Sequence, residues 1–187
     1  MIKAGAIDKG MCLLHKDSPY LVTEREFVNP GKGSAFVRLK LKNLMTGLVL
    51  KETMKSQDNV EEINVEDLPC QFLYLDDENY HFMDNESYEQ FEVSRVGLEE
   101  KGLFMKEGDT YKVTMWEHKP IDIIIPMKMV FVVTEAEDGV KGDTVTGATK
   151  NVTVETGLVV RVPIFIKQNE KIMVNTETKE YVERVNS

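Results

Sequence analysis

The sequence predicts an all-β protein made of three small barrels. Apolar and polar residues alternate with a period of two in several segments, whereas a helical period is scarce. Polar clusters divide the 187 residues into three units, which we place at 1–64, 65–127 and 128–187. Units of this size bury only a modest core, so we expect packing between neighbours to contribute, and a closed barrel removes exposed strand edges.

In the first unit, the clearest predicted strand covers residues 37–42. Its apolar residues are spaced two apart and are expected in the core: Val37, Leu39 and Leu41. The residues between them are basic and are expected on the opposite face: Arg38, Lys40 and Lys42. Such a stripe suits contact with a phosphate backbone, although the solvated face of any amphipathic strand shows the same pattern.

The later units show the same alternation. Further strands are predicted over 111–116, 121–125, 129–133, 152–154 and 158–162. A turn is predicted at 155–157, and a helix over 88–96, where Tyr88 and Phe91 would share a face. The polar run 56–62 predicts the linker after the first unit.

Charge is distributed unevenly along the chain. Residues 1–56 carry ten basic and five acidic residues, whereas residues 57–187 carry the other 13 basic and 27 acidic residues. The formal net charge of −9 therefore combines a basic end of +5 with an acidic remainder of −14. This asymmetry is typical of a protein that contacts RNA with one end while its acidic body limits indiscriminate binding.

Other features of the sequence predict a cytoplasmic protein without a membrane partner. No run of about 18 or more apolar residues is present, and the N-terminus lacks the apolar stretch of a signal peptide. Cys12 and Cys70 are too few and too far apart to form a disulfide framework or a zinc site by themselves.

A turn-rich loop at residues 29–34 is the most informative local feature. Apolar strand ends flank it, so a hairpin is predicted with Lys32 at its tip. Proline fixes the approach to the tip, while two glycines remove side-chain bulk on either side of the lysine. The predicted tip residues around Lys32 are Pro30, Gly31, Gly33 and Ser34. Because residues 29–43 contain no acid, we expect the Lys32 charge to be free for an external partner.

The loop has two other interpretations. It could be an ordinary solvated β-turn, which the local sequence alone does not exclude. A phosphate-binding loop needs a glycine five residues before the Gly-Lys pair and Ser or Thr directly after the lysine. Here Glu26 and Gly33 occupy those positions, and no parallel βαβ unit follows, so nucleotide binding is excluded.

Five motifs together span most of the chain: EFVNPGKGSAFVR at 26–38, YHFMDNESYEQ at 80–90, GDTVTGATK at 142–150, ETGLVVRVPIFI at 155–166 and TKEYVERV at 178–185. These motifs resemble those of the elongation factor P family of bacterial translation factors. They occur in the order that the family shows. The resemblance implies an SH3-like or KOW-type barrel followed by two OB-type barrels, in an L-shaped arrangement similar to tRNA.

The resemblance also implies a function and a set of partners. A member of this family would bind the 70S ribosome between the P and E sites when it stalls at consecutive prolines. Lys32 would then reach the CCA end of the P-site peptidyl-tRNA, and in the family this lysine is often enlarged enzymatically by an aliphatic amine. No cofactor and no catalytic residue are implied, because the peptidyl-transferase centre belongs to the ribosome. A monomer is expected.

Two further contacts are implied for the third unit. One loop resembles the segment that approaches the mRNA codon in the E site on the small subunit, through Gly142, Asp143, Thr144, Thr146, Gly147 and Lys150. It departs from the usual pattern at Ala148 and Asn151. Tyr181 and Arg184 resemble ribosomal RNA contacts, with ordinary strand packing as the competing interpretation of Tyr181.

Other function classes find little support in the sequence. His15, His81 and His118 lack the spacing of metal ligands, and His81 between two aromatic residues is predicted to pack in a hairpin. The G-x-S-x-G, H-E-x-x-H and G-x-G-x-x-G motifs are absent. The alternatives are a generic OB-type RNA-binding protein and a diverged family member with other stall targets.

Overall fold

The computed structural model describes residues 1–137 and 147–186, and in this part of the chain nearly all regular structure is β. Within these described ranges, sixteen strands form three antiparallel sheets. The only helical segments among the described residues are a 3-10 turn at Ala4–Ala6 and one α-helical turn, α1, at Glu99–Gly102. The predicted all-β class with three units is confirmed.

The first sheet contains six strands in the order β1-β6-β2-β3-β4-β5. Their bounds are β1 Ile2–Lys3, β2 Cys12–His15, β3 Ser18–Val28, β4 Phe36–Asn43, β5 Val49–Lys55 and β6 Asn59–Ile63. The predicted alternation in β4 is confirmed, because Val37, Leu39 and Leu41 are buried while the basic residues between them point outward.

The predicted linker at 56–62 is wrong for most of its length. Residues Asn59–Ile63 form β6, which pairs with both β1 and β2 and so ties the chain terminus to the rest of the sheet. Only Val60 of this strand is buried in the core. A strand that buries one residue among acids and amides shows too little alternation to be recognised from sequence.

The middle sheet contains five strands in the order β11-β10-β7-β8-β9. Their bounds are β7 Glu66–Leu75, β8 Asn79–Asp84, β9 Gln90–Ser94, β10 Thr110–Trp116 and β11 Lys119–Ile124. Its core is rich in aromatic side chains, with Tyr80 and Phe82 almost fully buried beside Phe72. The predicted strands at 111–116 and 121–125 are found within two residues of their expected bounds.

The helix predicted over 88–96 is wrong, because this segment is a turn followed by β9. Tyr88 has a φ of +61°, which no residue of a right-handed helix adopts. Beyond it, Phe91 and Val93 alternate toward the core with a period of two. The short α1 lies further along the chain, at Glu99–Gly102.

His81 packs in the β7–β8 hairpin, as predicted. Its ring stacks on Tyr74 with 4.2 Å between centroids, and its Nε2 lies 2.6 Å from the Asp76 carboxylate. The hydrogen bond from His81, together with those from the backbone N–H groups of Glu78 and Asn79, lowers the pKa of Asp76 to about 2. The aspartate therefore fixes the hairpin turn.

The third sheet contains five strands in the order β14-β13-β12-β15-β16. Their bounds are β12 Lys128–Ala136, β13 Thr149–Val154, β14 Val159–Pro163, β15 Lys171–Asn175 and β16 Glu180–Val185. The predicted turn at 155–157 is confirmed, and the Gly157 N–H donates to the Val154 carbonyl across it.

A phenylalanine from the middle of the chain completes the core of the third sheet. Phe104 follows α1, is only 4% exposed, and packs with the buried side chains of β12 to β15, its ring 6.4 Å from that of Phe131. Beside it, the Lys106 ammonium lies 2.9 Å from the Glu155 carboxylate and 5.0 Å from the centroid of the Phe131 ring. The middle and third sheets are thus joined by a shared apolar core, as their small size led us to expect.

Replacing this aromatic ring is expected to destabilise both sheets. Phe104→Ala should lower the free energy of unfolding by about 3–5 kcal/mol, because it leaves a cavity in a core that the third sheet cannot refill by itself. Phe104→Leu, which retains most of the apolar volume, should cost under about 1.5 kcal/mol. Urea unfolding measured by fluorescence of Trp116, the single tryptophan, and by far-UV circular dichroism would test this. Equal stability of the two variants would contradict it.

Candidate nucleic-acid interface

The hairpin of β3 and β4 carries the predicted tip. The two strands pair from Tyr20 opposite Asn43 to Val28 opposite Phe36, and residues 29–35 connect them. From Glu24 to Phe27, four consecutive residues of β3 are exposed, whereas the earlier residues of the strand are buried or half-buried. The distal half of the hairpin therefore projects beyond the barrel core.

Lys32 lies exposed at the end of this projection. Gly31, Gly33 and Ser34 are also exposed, and Pro30 is half-buried. Gly33 has a φ of +112°, a conformation that favours glycine. A Cβ added at Gly31 would meet no atom within 4 Å, so neither packing nor backbone conformation within the chain requires a glycine there. The missing side chain at Gly31 leaves the tip slim on the side that faces outward.

The basic stripe of β4 points outward, but acids from β3 compensate two of its three charges. The Lys40 ammonium donates to the Glu24 carboxylate at 2.9 Å, and Arg38 lies 3.4 Å from Glu26. The hydrogen bond from Lys40 lowers the pKa of the Glu24 carboxyl. Lys42 lies further from the tip, opposite Leu21.

A β-bulge at Thr23 explains why these acids face the stripe. Tyr20 and Val22 point to the core, so uninterrupted alternation would direct Glu24 inward as well. The pairing shifts between Val22 and Glu24, and the Thr23 hydroxyl donates to the Lys40 carbonyl at 3.0 Å. One extra residue reverses the faces of the strand that follows. Sequence reasoning missed these acids because strand register was not available to it.

The same shift places Arg25 and Phe27 on the other face of the hairpin, where sequence analysis assigned them no role. The Arg25 Nη2 donates to the Gly5 carbonyl at 3.1 Å, and its guanidinium lies 5.7 Å from the centroid of the Phe27 ring. Phe27 is nevertheless 45% exposed. A phenylalanine that stays exposed within a β-strand indicates that this face of the hairpin is a candidate contact surface.

The predicted codon loop falls largely outside the described residues. Gly142, Asp143, Thr144 and Thr146 lie in the stretch 138–146, which the structure does not describe. Of the other two predicted residues, Gly147 has a φ of +104°, and the Lys150 ammonium donates to the Glu137 carbonyl at 2.9 Å.

The two predicted C-terminal contacts differ in exposure. Tyr181 is half-buried and packs against the core of the third sheet, which favours its alternative interpretation as a packing residue. Arg184 is exposed on β16, 3.5 Å from the Glu170 carboxylate and 5.6 Å from the centroid of the Phe165 ring. Of the two, Arg184 is the residue available to an external partner.

Within residues 1–137 and 147–186, no cluster of three or more His, Cys, Asp or Glu side chains is arranged to hold a metal ion. No helix in the described part of the chain has the length and hydrophobicity needed to cross a membrane.

Three family models cover almost the whole chain. The elongation factor P KOW-like domain matches residues 3–60, the elongation factor P OB domain matches 65–123, and the elongation factor P C-terminal domain matches 129–184. The chain belongs to the elongation factor P family.

Elongation factor P proteins of Treponema and Borrelia are similar to this chain along its whole length. The protein of Treponema denticola is 56% identical over 187 residues, with 100% of both chains covered, and that of Treponema pallidum (strain Nichols) is 56% identical over 186 residues, again with 100% of both chains covered. The Borrelia duttonii protein is 53% identical and covers 98% of this chain and 97% of its own. The chain is thus a translation elongation factor by family.

One solved structure supports the fold alone. The eukaryotic translation initiation factor 5A from Methanococcus jannaschii matches with a TM-score of 0.50 at 17% identity, over 66% of this chain and 94% of its own. The predicted domain limits at residues 64 and 127 and the predicted roles of the site residues stay predictions.

The two tip glycines are expected to respond differently to alanine. Gly31→Ala should leave the free energy of unfolding unchanged or raise it by up to about 1 kcal/mol, because the added methyl group meets open space and the unfolded chain loses freedom. Gly33→Ala should lower it by more than about 1 kcal/mol, because its φ of +112° strains an L-residue. Paired urea titrations would test this, and a larger loss for Gly31→Ala would refute it.

Proposed function

We propose that this elongation factor P binds between the P and E sites of a ribosome stalled at consecutive prolines and stimulates peptide-bond formation. The observation that carries the proposal is the isolated, exposed Lys32 at the end of a hairpin that projects past its barrel. A long side chain on a slim tip is suited to a narrow cleft, and the family match makes the ribosome the partner to test first.

The proposed mechanism is orientation of the reacting groups. Proline's ring makes it a poor nucleophile and a poorly oriented peptidyl donor. A stalled ribosome therefore needs correct orientation of the reacting groups more than it needs a further catalytic group. Binding energy from the three domains would restrict the CCA end of the P-site tRNA near its reactive position. The factor itself then needs no acid, base or nucleophile, and we propose that it is not an enzyme.

Lys32 is also the proposed site of enzymatic modification. Its exposed position leaves the ammonium group accessible to a modifying enzyme, and the open space beside Gly31 leaves room for that enzyme to approach. An added aliphatic amine would lengthen the side chain and retain positive charge at its end.

The remaining predicted contacts complete the proposal. Arg38 and Lys40 would exchange their carboxylate partners for RNA phosphates, and the loop at 142–150 would approach the E-site codon.

Thr144→Ala should weaken the contact with the codon and lower rescue of a stalled ribosome, whereas unchanged rescue would exclude a role of Thr144 in that contact. We further propose that the protein acts as a cytoplasmic monomer.

Removal of the tip amine is expected to abolish rescue without affecting the fold. A purified translation system would synthesise a reporter with consecutive prolines, using protein isolated from its native cell so that any modification is present. Lys32→Ala should reduce full-length product to the level seen without factor. The matched control is Lys9→Ala, which removes an exposed lysine from the turn before β2, outside the tip loop, and should retain full rescue.

Three results would contradict parts of this proposal. Full rescue by Lys32→Ala would exclude the tip mechanism. Failure of the unmutated protein, combined with ribosome-independent affinity for single-stranded RNA, would favour a generic OB-type RNA-binding protein. Rescue at stall sequences other than consecutive prolines would favour a diverged family member.

A further inference from the structure

Two phenylalanines in the chain are exposed, and each has an arginine over its ring. Phe27 is 45% exposed and Phe165 is 54% exposed, whereas the other six phenylalanines are buried or half-buried. The arginine carbon Cζ lies 5.7 Å from the ring centroid of Phe27 and 5.6 Å from that of Phe165. Leaving an aromatic ring in water forgoes the free energy of burying it, so this repeated arrangement indicates a role outside the fold.

The arginine beside Phe27 is held in place by the rest of the chain. Its guanidinium donates to the Gly5 carbonyl at 3.1 Å and lies 3.9 Å from the Asp8 carboxylate. These contacts come from the N-terminal segment, which is remote in sequence from the hairpin. The ring is therefore covered on one side before any partner binds, and nearly half of its surface stays open.

The pair in the third sheet is built in a similar way. Phe165 follows β14, and Arg184 reaches its ring from β16, where Glu170 lies 3.5 Å from the guanidinium. Here too a carboxylate compensates the arginine charge. Contact with a partner would depend more on the aromatic surface than on net charge.

We propose that Phe27 and Phe165 are stacking surfaces for unpaired RNA bases. Every base offers a π face that an aromatic ring can stack on, and the adjacent guanidinium can meet the phosphate or a base edge. If the partner were instead an apolar protein surface, the arginine over each ring would add nothing to the contact. Phe27 also lies on the hairpin that carries Lys32, within the part of the chain (residues 1–56) whose net charge is +5. The inference rests on the proposed function, which brings both surfaces to ribosomal and transfer RNA.

The test measures binding of full-length variants to purified ribosomes that carry a P-site tRNA. Phe27→Leu and Phe165→Leu retain an apolar side chain but remove the π face, and each should weaken binding by about 5- to 150-fold. The slope of log affinity against log salt should stay unchanged, because no ion pair is lost. Phe27→Tyr retains the π face and should bind as tightly as the unmutated protein.

The matched control is Tyr88→Leu. Tyr88 is an aromatic residue that is 71% exposed and lies near the acids Glu86 and Glu89 in the sequence, so this variant should bind like the unmutated protein.

The possible outcomes separate the inference from the proposed function. If the unmutated protein does not bind such ribosomes, the proposed function fails and the inference with it. If the unmutated protein binds and both leucine variants bind as tightly as it does, only the inference is overturned. An equal loss for Tyr88→Leu would also overturn it, because exposure alone would then explain the effect.

A photo-crosslinker identifies the bound group directly. With p-benzoylphenylalanine in place of Phe27 or Phe165, irradiation of the complex should label RNA. Labelling of either transfer or ribosomal RNA supports the inference and distinguishes the two sources. Labelling of ribosomal protein alone, or no labelling of RNA, overturns it.

Discussion

The packing of Phe104 against the third sheet is the contact on which the arrangement of two of the three domains depends. Each five-stranded sheet is small, and a sheet of this size buries too little apolar surface to be robust by itself. Phe104 adds an aromatic side chain to the third core, while Ile125 and Met129 pack against both cores. The ion pair between Lys106 and Glu155 then closes the edge of this junction. Stability and domain arrangement therefore arise from the same few side chains.

In the first sheet, strand register determines which side chains share a face of the hairpin. The bulge at Thr23 reverses the faces of β3 midway, so that Glu24 and Glu26 lie beside the basic stripe while Arg25 and Phe27 occupy the other face. Arg38 and Lys40 of β4 already have carboxylate partners within the chain, which lowers their attraction for arbitrary polyanions. Lys32 lies at the tip, where residues 29–35 contain no acid that could compensate its charge.

Much of the fold was predictable because its signals are local. Alternation within β4 and the turn residues at 29–34 each depend on a few neighbouring residues, and both predictions are confirmed. The failures have non-local causes. The left-handed backbone at Tyr88 turned an expected helix into a turn and a strand, and β6 is a strand only because β1 and β2 pair with it. Cross-strand ion pairs at the candidate site and the insertion of Phe104 depend on register and on packing between domains, which one sequence does not reveal.

The position of Phe104 has a consequence for synthesis of the protein. The chain emerges from its N-terminus, so Phe104 leaves the ribosome before the strands of the third sheet that will bury it. At roughly 5–20 residues per second, the following 80 or so residues take about 4–16 s to appear. For that interval the nascent factor carries an aromatic side chain without its native cover. This member of a translation factor family thus has a vulnerable interval in its own translation, which ends only when its third sheet forms.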